Sequence, residues 1–411
     1  MLVKFFKLCL FVFVLASLIA LGTSVLCAQN VELKLATWHW TEPGRGDTLK
    51  AICEAFTKEY PNITISPVSL PYARYQDQMM IQMAGNEAPD VLVAADIMFF
   101  AFMNLGYLLP LDELINLKAL EPEFLDAQKI SQINEKTYGL ATEYVTYALL
   151  YNETLFKEAG IDHPPTTPDE FLEDAKKLTK APNQYALGTR HSMNEEGGWW
   201  YEMSYWVEGF GGKWTTDGKP SVNTPEVING VKFYKEMYDA NIFPKGVDAS
   251  TYRRMFWQGK IAMLTDNQAT FFLALSSNPD LNIKAAPGPF ENKLTNAEIV
   301  FYTIPKSAKH QKEAAIFLDW FYRHLKDYGL GVQNVVGSKS ANKIILEKFP
   351  YLMTFVEAPL ADNGGILPKG YETRLPEFRH IVLNHVTSVL INNADPKAEM
   401  DAAQNELLNL E

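Results

Sequence analysis

An uncharged run of β-branched and aromatic residues, Val145 to Tyr151, constrains the fold more than any other stretch of this chain. Gly139 precedes the run and Asn152 follows it, and both residue types commonly bound a strand. Such a composition suits a strand whose two faces are both covered by other elements. We expect the segment Gly139–Asn152 to be a buried strand at which the chain leaves one globular lobe and enters another.

A carboxylate and a phenol, Glu143 and Tyr144, stand directly before this run. If two lobes meet here, both side chains lie at the mouth of the crevice between them. The alternative is an ordinary core strand with one solvated glutamate at its edge, as strand ends commonly have. The remainder of the chain decides between these two interpretations.

The residues before this strand alternate between strand and helix patterns. Strands are predicted over Glu32–Trp38, Ile63–Val68 and Val91–Asp96, and helices over Tyr72–Met83 and Phe99–Leu105. The third strand is continuously apolar and ends in a carboxylate, which is typical of a parallel strand that leads into a cleft. This alternation predicts a doubly wound α/β lobe.

The same alternation restarts after Asn152, and 411 residues are enough for two lobes. Thr167-Pro168-Asp169-Glu170 is a capping box that opens a helix. We expect a second crossing at the strand Ile261–Leu264, which continues into Thr265-Asp266-Asn267. A third crossing is expected at Leu325–Gly331.

The first residues have the three-part layout of a secretory signal. Lys4 and Lys7 form a positive start, Leu8–Leu21 is apolar and uncharged, and Ala28 is a small residue at a plausible cleavage point. We expect residues 1–28 to be removed and the protein to act in the periplasm or elsewhere outside the cytoplasm. A retained membrane anchor and lipid attachment at Cys27 are the alternatives.

Charge and cysteine content exclude several function classes. The formal net charge of −12 argues against nucleic acid or an anionic membrane as a partner. Of the three cysteines only Cys53 lies beyond the expected signal, so no intramolecular disulfide is expected. The sequence contains no zinc-binding His-Glu-x-x-His, nucleophile elbow, paired-cysteine or P-loop motif. We expect neither a cofactor nor a metal.

Tryptophan placement favours carbohydrate as a ligand. Indole faces stack on the C–H faces of sugar rings, and acidic, amide and arginine side chains hydrogen-bond sugar hydroxyls. A single tryptophan of this kind more often belongs to a core than to a ligand site, but several beside Asp96, Glu143 and Asp266 together favour a sugar cleft. A glycoside hydrolase that uses Asp96 and Glu143 stays open as an alternative. Most of the tryptophans lie in or beside glycine-containing loops: Trp38, Trp40, Trp199, Trp200, Trp206, Trp214 and Trp257.

Together with the secretory leader, several motifs in this order resemble the extracellular solute-binding proteins of family 1, the sugar receptors of bacterial ABC importers and relatives of the maltose-binding protein. The resemblance covers nearly the whole chain after the leader. No single motif is specific, whereas their order and spacing together are. The motifs are Leu33–Trp40, Gly85–Val91, Gly106–Asp112, Tyr138–Leu140, Leu150–Asn152, Gly259–Met263 and Asp395–Leu408.

The resemblance implies a type II periplasmic-binding-protein fold, in which two α/β lobes are joined by three hinge crossings around a central ligand cleft. It places the crossings near Thr142–Val145, Leu264–Asn267 and Arg323–Lys326. The N-terminal lobe would comprise residues 29–142 and 267–323, and the C-terminal lobe residues 143–266 and 324–411. Ligand would contact both lobes, so that it stabilises the closed form.

The resemblance also implies the positions of the ligand contacts. Relatives often have a glycine and a tryptophan where Asp266, Asn267 and Gln268 stand here, so polar contacts would replace a stacking ring. Asn296-Ala297-Glu298-Ile299 replaces a glycine pair, which leaves Glu298 and Phe301 uncertain as contacts. The expected ligand-binding residues are Trp40, Glu42, Arg74, Tyr75, Asp96, Glu143, Tyr144, Trp199, Trp200, Gly211 in the Gly209–Gly212 turn, Asp266, Asn267 and Arg374.

These observations predict an exported, non-enzymatic receptor. It would bind a mono- or oligosaccharide by aromatic stacking and hydrogen bonding and deliver it, as a monomer, to the permease subunits of an ABC transporter. A receptor of the same fold for another solute, such as a polyamine or iron, is the alternative within this class.

Overall fold

The computed structural model describes residues 30–292, 296–357 and 366–410 of the chain. The expected signal at residues 1–28, with Cys27, lies outside these described residues. Within the described ranges, no helix combines the length and the apolar character that crossing a membrane requires.

Short β-branched and apolar segments form the strands of the described residues. Most of them enter one mixed sheet, and two pairs form small separate hairpins. The strands are β1 (Val31–Thr37), β2 (Ile63–Ser69), β3 (Val91–Ala95), β4 (Gln132–Ile133), β5 (Lys136–Thr137), β6 (Leu140–Asn152), β7 (Tyr185–Gly188), β8 (Thr215–Thr216), β9 (Lys219–Pro220), β10 (Ile261–Asn267), β11 (Ile283–Ala286) and β12 (Ala297–Thr303).

Strand β6 joins two halves of the main sheet, whose order is β2-β1-β3-β12-β6-β10-β7 with β11 also paired to β6. Residues 140–146 of β6 pair with β12, and residues 147–152 pair with β10 and β11. All 13 residues of β6 are buried, which confirms the expected strand with two covered faces. We call β1, β2, β3, β12 and the start of β6 the first lobe, and the end of β6 with β7, β10 and β11 the second lobe.

Helices cover both lobes. In the first lobe α10 and α11 pack against α1, and in the second α6, α7 and α14 pack together. The helices are α1 (Arg45–Glu59), α2 (Tyr72–Ala84), α3 (Asp96–Asn104), α4 (Glu153–Glu158), α5 (Pro168–Leu178), α6 (Glu196–Gly209), α7 (Pro225–Asp239), α8 (Ala249–Trp257), α9 (Gln268–Ser277), α10 (Gln311–Arg323), α11 (Leu325–Val332), α12 (Lys339–Lys348), α13 (Met353–Glu357), α14 (Leu375–Asn392) and α15 (Pro396–Leu408).

The crossings between lobes differ in part from those expected. The first falls within β6, between Thr146 and Tyr147, close to the expected Thr142–Val145. The second falls later than Leu264–Asn267, because β11 still pairs with the second-lobe end of β6 and only β12 returns to the first lobe. The expected third crossing at Leu325–Gly331 is instead α11, which packs against α1 of the first lobe. The full assignment of residues to lobes stays a prediction.

Candidate functional site

A cavity of about 170 Å³ lies between the two lobes. Because a water molecule occupies about 30 Å³ of liquid, the cavity holds roughly six waters or a ligand of that size. Side chains from both lobes form its wall. They are Trp38, His39, Glu42, Arg45, Tyr72, Glu298 and Val300 from the first lobe, Val145 and Tyr147 from β6, and Arg190, Gly198, Tyr201, Arg253, Asn267, Ala269, Thr270 and Leu273 from the second.

The end of β1 places three polar cavity residues. The hydroxyl of Thr37 accepts a hydrogen bond from the backbone N–H of His39 at 3.1 Å, which turns the chain into the 3-10 helix Trp38–Thr41. Glu42 follows that turn, and Arg45 begins α1. Their position at the carboxyl end of a parallel strand is where ligands bind in open α/β sheets.

Glycine makes room for a cavity residue of the second lobe. A Cβ added to Gly198 would lie 2.5 Å from Nε of Arg190, so a larger residue would displace the guanidinium. Arg190 follows β7, and its Nη1 pairs with the buried carboxylate of Glu202, which also accepts from the hydroxyl of Tyr252 at 2.8 Å. Glu202 therefore holds Arg190 in the cavity wall.

A second arginine of this lobe is held in the same way. Nε and Nη2 of Arg253 bind the two carboxylate oxygens of Asp266 at 2.8 and 2.9 Å. Oδ1 of Asp266 also accepts from the hydroxyl of Thr270 at 3.0 Å. Burial is the largest influence on the pKa of Asp266 and would raise it, but the charge and hydrogen bonds of Arg253, the charge of Arg190 and the N–H of Asn267 together lower this pKa.

In the first lobe a fully buried carboxylate, Glu143, organises the cavity wall. Its Oε2 pairs with Nη2 of Arg45 and accepts from Nδ2 of Asn334 at 2.9 Å, and its Oε1 accepts from the hydroxyl of Tyr328 at 3.0 Å. Nδ1 of His39 lies 3.5 Å from the same Oε1. Burial, and next the charge of Arg45, hold the pKa of His39 well below its usual value, so its imidazole is neutral.

Asp96 joins the two lobes. Its Oδ1 accepts from the hydroxyl of Tyr201 on α6 at 2.7 Å, and its Oδ2 accepts from the N–H of Ile299 on β12 at 3.0 Å. Asp96 begins α3 in the first lobe, whereas α6 belongs to the second. The Asp96–Tyr201 hydrogen bond therefore exists only while the lobes are closed.

Four buried polar atoms on the cavity residues make no hydrogen bond to described residues: His39 Nε2, Glu42 Oε2, Arg45 Nε and Arg190 Nε. Glu42 Oε2 has an ion contact with Arg45 at 3.4 Å. Buried polar groups without partners are costly and rare in folded proteins. All four belong to residues that line the cavity, and Nε of Arg190 also has an ion contact, with Oε1 of Glu195 at 3.5 Å.

Aromatic rings provide the apolar part of the wall. The rings of Tyr147 and Tyr201 are nearly parallel, at 4°, with centroids 5.8 Å apart. Trp38 meets Tyr72 edge to face with centroids 5.1 Å apart. The cavity thus combines flat apolar faces with hydrogen-bond donors and acceptors, the combination typical of small-molecule sites.

Two carboxyls of the site have raised pKa values. Burial raises the pKa of Asp96 to about 6. Burial, and next the charge of Asp96, raise the pKa of Glu298 to about 8. Both groups therefore hold their protons more tightly in the folded protein than in the unfolded chain.

Thermal stability is expected to fall as pH rises from 5 to 8. The contribution of these two carboxyls to the free energy of unfolding is complete below their ordinary pKa values, 3.8 and 4.5, and is lost as pH rises through about 6 and 8. Glu298→Gln removes the larger shift, so the Tm of wild type should fall by roughly 5 °C more than that of the variant over this range. Calorimetry of both proteins would show it, and equal Tm slopes would contradict the assignment.

Five of the expected ligand residues lie at or behind the cavity. Glu42 and Asn267 line it. Asp96, Glu143 and Asp266 stand one layer behind, each bonded to a lining side chain. Glu298, whose role as a ligand contact was uncertain from the sequence, also lines the cavity.

The expected tryptophan contacts lie elsewhere. Nε1 of Trp40 donates to the carbonyl of Leu35 at 3.0 Å, on the outer side of the first lobe. Trp199 and Trp200 are fully buried in the second lobe, and Nε1 of Trp200 donates to the carbonyl of Ile366 at 2.7 Å. These rings do not line the cavity, because the helix that carries the pair faces a core.

Five further expected contacts also do not line the cavity. Tyr75 is fully buried and its hydroxyl donates to a backbone carbonyl of β1 at 2.7 Å. Tyr144 faces away from the cavity, and Gly211 lies in the turn after α6 with φ +81°. Arg74 is exposed on α2, and Arg374 contacts a neighbouring glutamate at 3.3 Å. Their ligand contacts stay predictions. Phe301, the other uncertain residue, is fully buried.

Sequence reasoning missed several cavity residues. Arg190 could have been found, since it follows a short strand, as Asp96 does. Tyr147 lies within the apolar run of β6, and its phenol gave no sign that it faces a cleft. The missed residues are His39, Arg45, Tyr72, Tyr147, Arg190, Tyr201 and Arg253.

A larger groove of about 890 Å³ runs between α1 and β2 on the first lobe. Trp40, Glu42 and Lys50 are among its lining residues. Glu42 also lines the inter-lobe cavity, so the groove begins at the cavity's edge. Only the smaller cavity receives side chains from both lobes, which makes it the candidate site.

Comparison with known proteins agrees with this architecture. A sequence profile of the family described as bacterial extracellular solute-binding protein matches residues 40–324. A binding protein of Brucella abortus (strain 2308) is 25% identical over 406 residues, 94% of each chain. The arabinooligosaccharide-binding protein of Bacillus subtilis (strain 168) is 24% identical over 323 residues, 74% of this chain and 73% of that one.

Solved structures show the same fold. An ABC transporter solute-binding protein from Thermotoga lettingae TMO, bound with α-D-tagatose, superposes with a TM-score of 0.81 at 20% identity, over 93% of this chain and 99% of that one. This likeness confirms the expected two-lobe fold. Since the profile match spans well over half of the chain, the protein belongs to the bacterial extracellular solute-binding proteins.

Proposed function

We propose that this protein is the extracytoplasmic sugar receptor of an ABC importer, with the inter-lobe cavity as its binding site. The observation that carries the proposal is a cavity between the lobes whose wall holds polar side chains from both, among them His39, Arg45, Glu298 and Arg190. Sugar hydroxyls both donate and accept hydrogen bonds, so they can satisfy guanidinium, imidazole and carboxylate groups together. The relatives that bind arabino-oligosaccharide and tagatose support the same ligand class.

The mechanism is lobe closure around the ligand. His39, Arg45 and Glu298 would bind one side of the sugar, and Arg190 and Arg253 the other. A ligand that contacts both lobes stabilises the closed state over the open one by the difference in its affinity for the two states. The membrane permease would then recognise the closed receptor.

Catalysis is not part of the proposal. A glycosidase needs two carboxylates that reach the scissile bond. The oxygens of Asp96 and Glu143 instead bind protein donors, and neither residue lines the cavity. Among the described residues, no group of three or more His, Cys, Asp or Glu side chains could hold a metal ion, which leaves iron without a site there.

We also propose that a signal at residues 1–28 is cleaved on export and that the receptor acts as a monomer. The partners are the carbohydrate and the permease subunits. Membership of an extracellular family supports the location, and the cavity is formed within one chain.

A thermal-shift screen across a carbohydrate panel tests the proposal. A sugar present at a hundred times its Kd stabilises the folded state by about 2.7 kcal/mol, which should raise Tm by roughly 3 °C for a chain of this length. Chromatography of the mixture should recover the sugar intact. An unchanged Tm with every carbohydrate, or a cleaved sugar, would contradict the proposal.

A further inference from the structure

The charges around the cavity do not balance. Each arginine of the wall is paired with a carboxylate: Arg45 with Glu143, Arg190 with Glu202, and Arg253 with Asp266. His39 is neutral and adds no positive charge.

Three more carboxyl groups remain after this pairing. Glu42 shares Arg45 with Glu143, at 3.4 Å. Asp96 is held by hydrogen bonds alone, from Tyr201 and two backbone N–H groups. Apart from Glu195, which contacts Nε of Arg190 at 3.5 Å, six carboxyl groups around the cavity thus accompany three guanidinium groups, an excess of acid.

Glu298 is the acid of this excess that faces the cavity with the least compensation. No described lysine, arginine or histidine lies within 4.0 Å of its carboxylate. Its one hydrogen bond is a long one, 3.4 Å from the hydroxyl of Tyr72. Its strongest electrostatic neighbour is another acid, Asp96.

Four aromatic residues share the cavity wall with this carboxylate. Tyr72 contacts it directly, and Trp38, Tyr147 and Tyr201 line the same cavity. A carboxylate among aromatic faces is the environment that binds an ammonium group, because the faces of aromatic rings attract cations. A neutral ligand would leave the buried acids either protonated or uncompensated, and both states carry a free-energy cost.

We propose that the sugar bound by this protein carries a protonated amino group, which lies against Glu298 within the ring of Trp38, Tyr72, Tyr147 and Tyr201. This inference rests on the proposed sugar-receptor function and refines its ligand to an amino sugar. The hydroxyls of the same sugar accept hydrogen bonds from Arg190 and Arg253 on the opposite wall.

The opposite wall distinguishes an amino sugar from a linear polyamine. Arg190 and Arg253 place guanidinium groups on the second-lobe side of the cavity. A fully protonated polyamine offers no hydrogen-bond acceptor to these groups, which can only donate. An amino sugar presents a charge to one wall and hydroxyl oxygens to the other.

Calorimetric titration at pH 7 tests the inference on the wild-type protein. The probes are glucosamine, galactosamine and mannosamine, each paired with its neutral hexose and its N-acetyl form, with spermidine as a further ligand. At least one amino sugar should bind about tenfold to a hundredfold more tightly than both of its uncharged counterparts. The N-acetyl form keeps the nitrogen and removes its charge, so it isolates the charge.

Glu298→Gln provides the second comparison. This variant should lose most of the preference for the amino sugar, measured as the ratio of the Kd values of the neutral hexose and the amino sugar on the same protein. Glu158→Gln, at an exposed position on α4, is the control and should keep the preference. A preference retained in Glu298→Gln would overturn the placement of the amino group.

The outcomes separate this inference from the proposed function. Neutral hexoses that bind as tightly as the amino sugars, or more tightly, overturn the inference and leave the sugar receptor intact. Binding of spermidine without any carbohydrate, or no binding of any carbohydrate, overturns both.

Discussion

Replacing Glu143 by alanine is expected to cost about 3–5 kcal/mol of unfolding free energy, because it leaves the guanidinium of Arg45 buried without its counter-charge. Tyr328 and Asn334 would lose a hydrogen-bond acceptor at the same time. The fall in Tm should be roughly 5 °C, measurable by calorimetry, and chemical denaturation would measure the lost free energy directly. Ligand affinity should fall with it, because Arg45 and His39 line the cavity.

Two control variants show whether the loss of stability is specific to the buried charge of Glu143. Glu143→Gln keeps the shape and part of the hydrogen bonding of the side chain. The Tm difference between wild type and Glu143→Gln therefore reports the lost charge, and the Tm difference between Glu143→Gln and Glu143→Ala reports the lost contacts. Glu153→Ala removes a solvent-facing carboxylate that bonds Lys157 and Lys284, just after β6. Such exposed pairs contribute little, so its Tm should stay close to that of wild type. A Glu143→Ala protein as stable as Glu153→Ala would show that Glu143 does not anchor the site.

Replacing Tyr147 by alanine should weaken sugar binding by about 2–4 kcal/mol, roughly 30-fold to 1,000-fold in Kd. Its ring lies parallel to that of Tyr201 in the cavity wall, and its truncation removes a flat face beside the hinge. Titration calorimetry on the folded variant measures the loss directly.

Tyr151→Ala is the matched control for this variant. Tyr151 lies on the same strand and packs against Phe156, away from the cavity. Its truncation should lower Tm without changing the affinity of the folded protein. Equal losses of affinity in the Tyr147 and Tyr151 variants would mean that the fold, and not the cavity wall, was being tested.

Much of the fold could be predicted because its signals are local. The apolar run in β6 and the strand Val91–Ala95 are covered on both faces, so their composition alone identifies them. The crossings were harder to predict. Whether β11 pairs with the second-lobe end of β6, and whether α11 packs on α1, depends on contacts between residues far apart in the chain.

The candidate site also contains residues that local sequence signals predict and residues whose position depends on long-range packing. Glu42, Asp96 and Asn267 follow strand ends, where the topology of a parallel sheet gathers side chains, and this rule needs only sequence order. The tryptophan contacts required knowledge of which helix face meets a core. Trp199 and Trp200 lie on α6 beside Tyr201, and only Tyr201 of these three contributes to the cavity wall. Residue type suggested the ligand class, whereas packing determined which rings line the cavity.

The central claim is that both lobes close on one carbohydrate in the inter-lobe cavity, and a crystal structure with the best ligand of the panel tests it most directly. We predict density for the sugar between Glu298 on the first lobe and Arg190 on the second, with hydrogen bonds to lining side chains of both lobes. Sugar bound instead in the outer groove beside Trp40, with the inter-lobe cavity filled only by water, would contradict it.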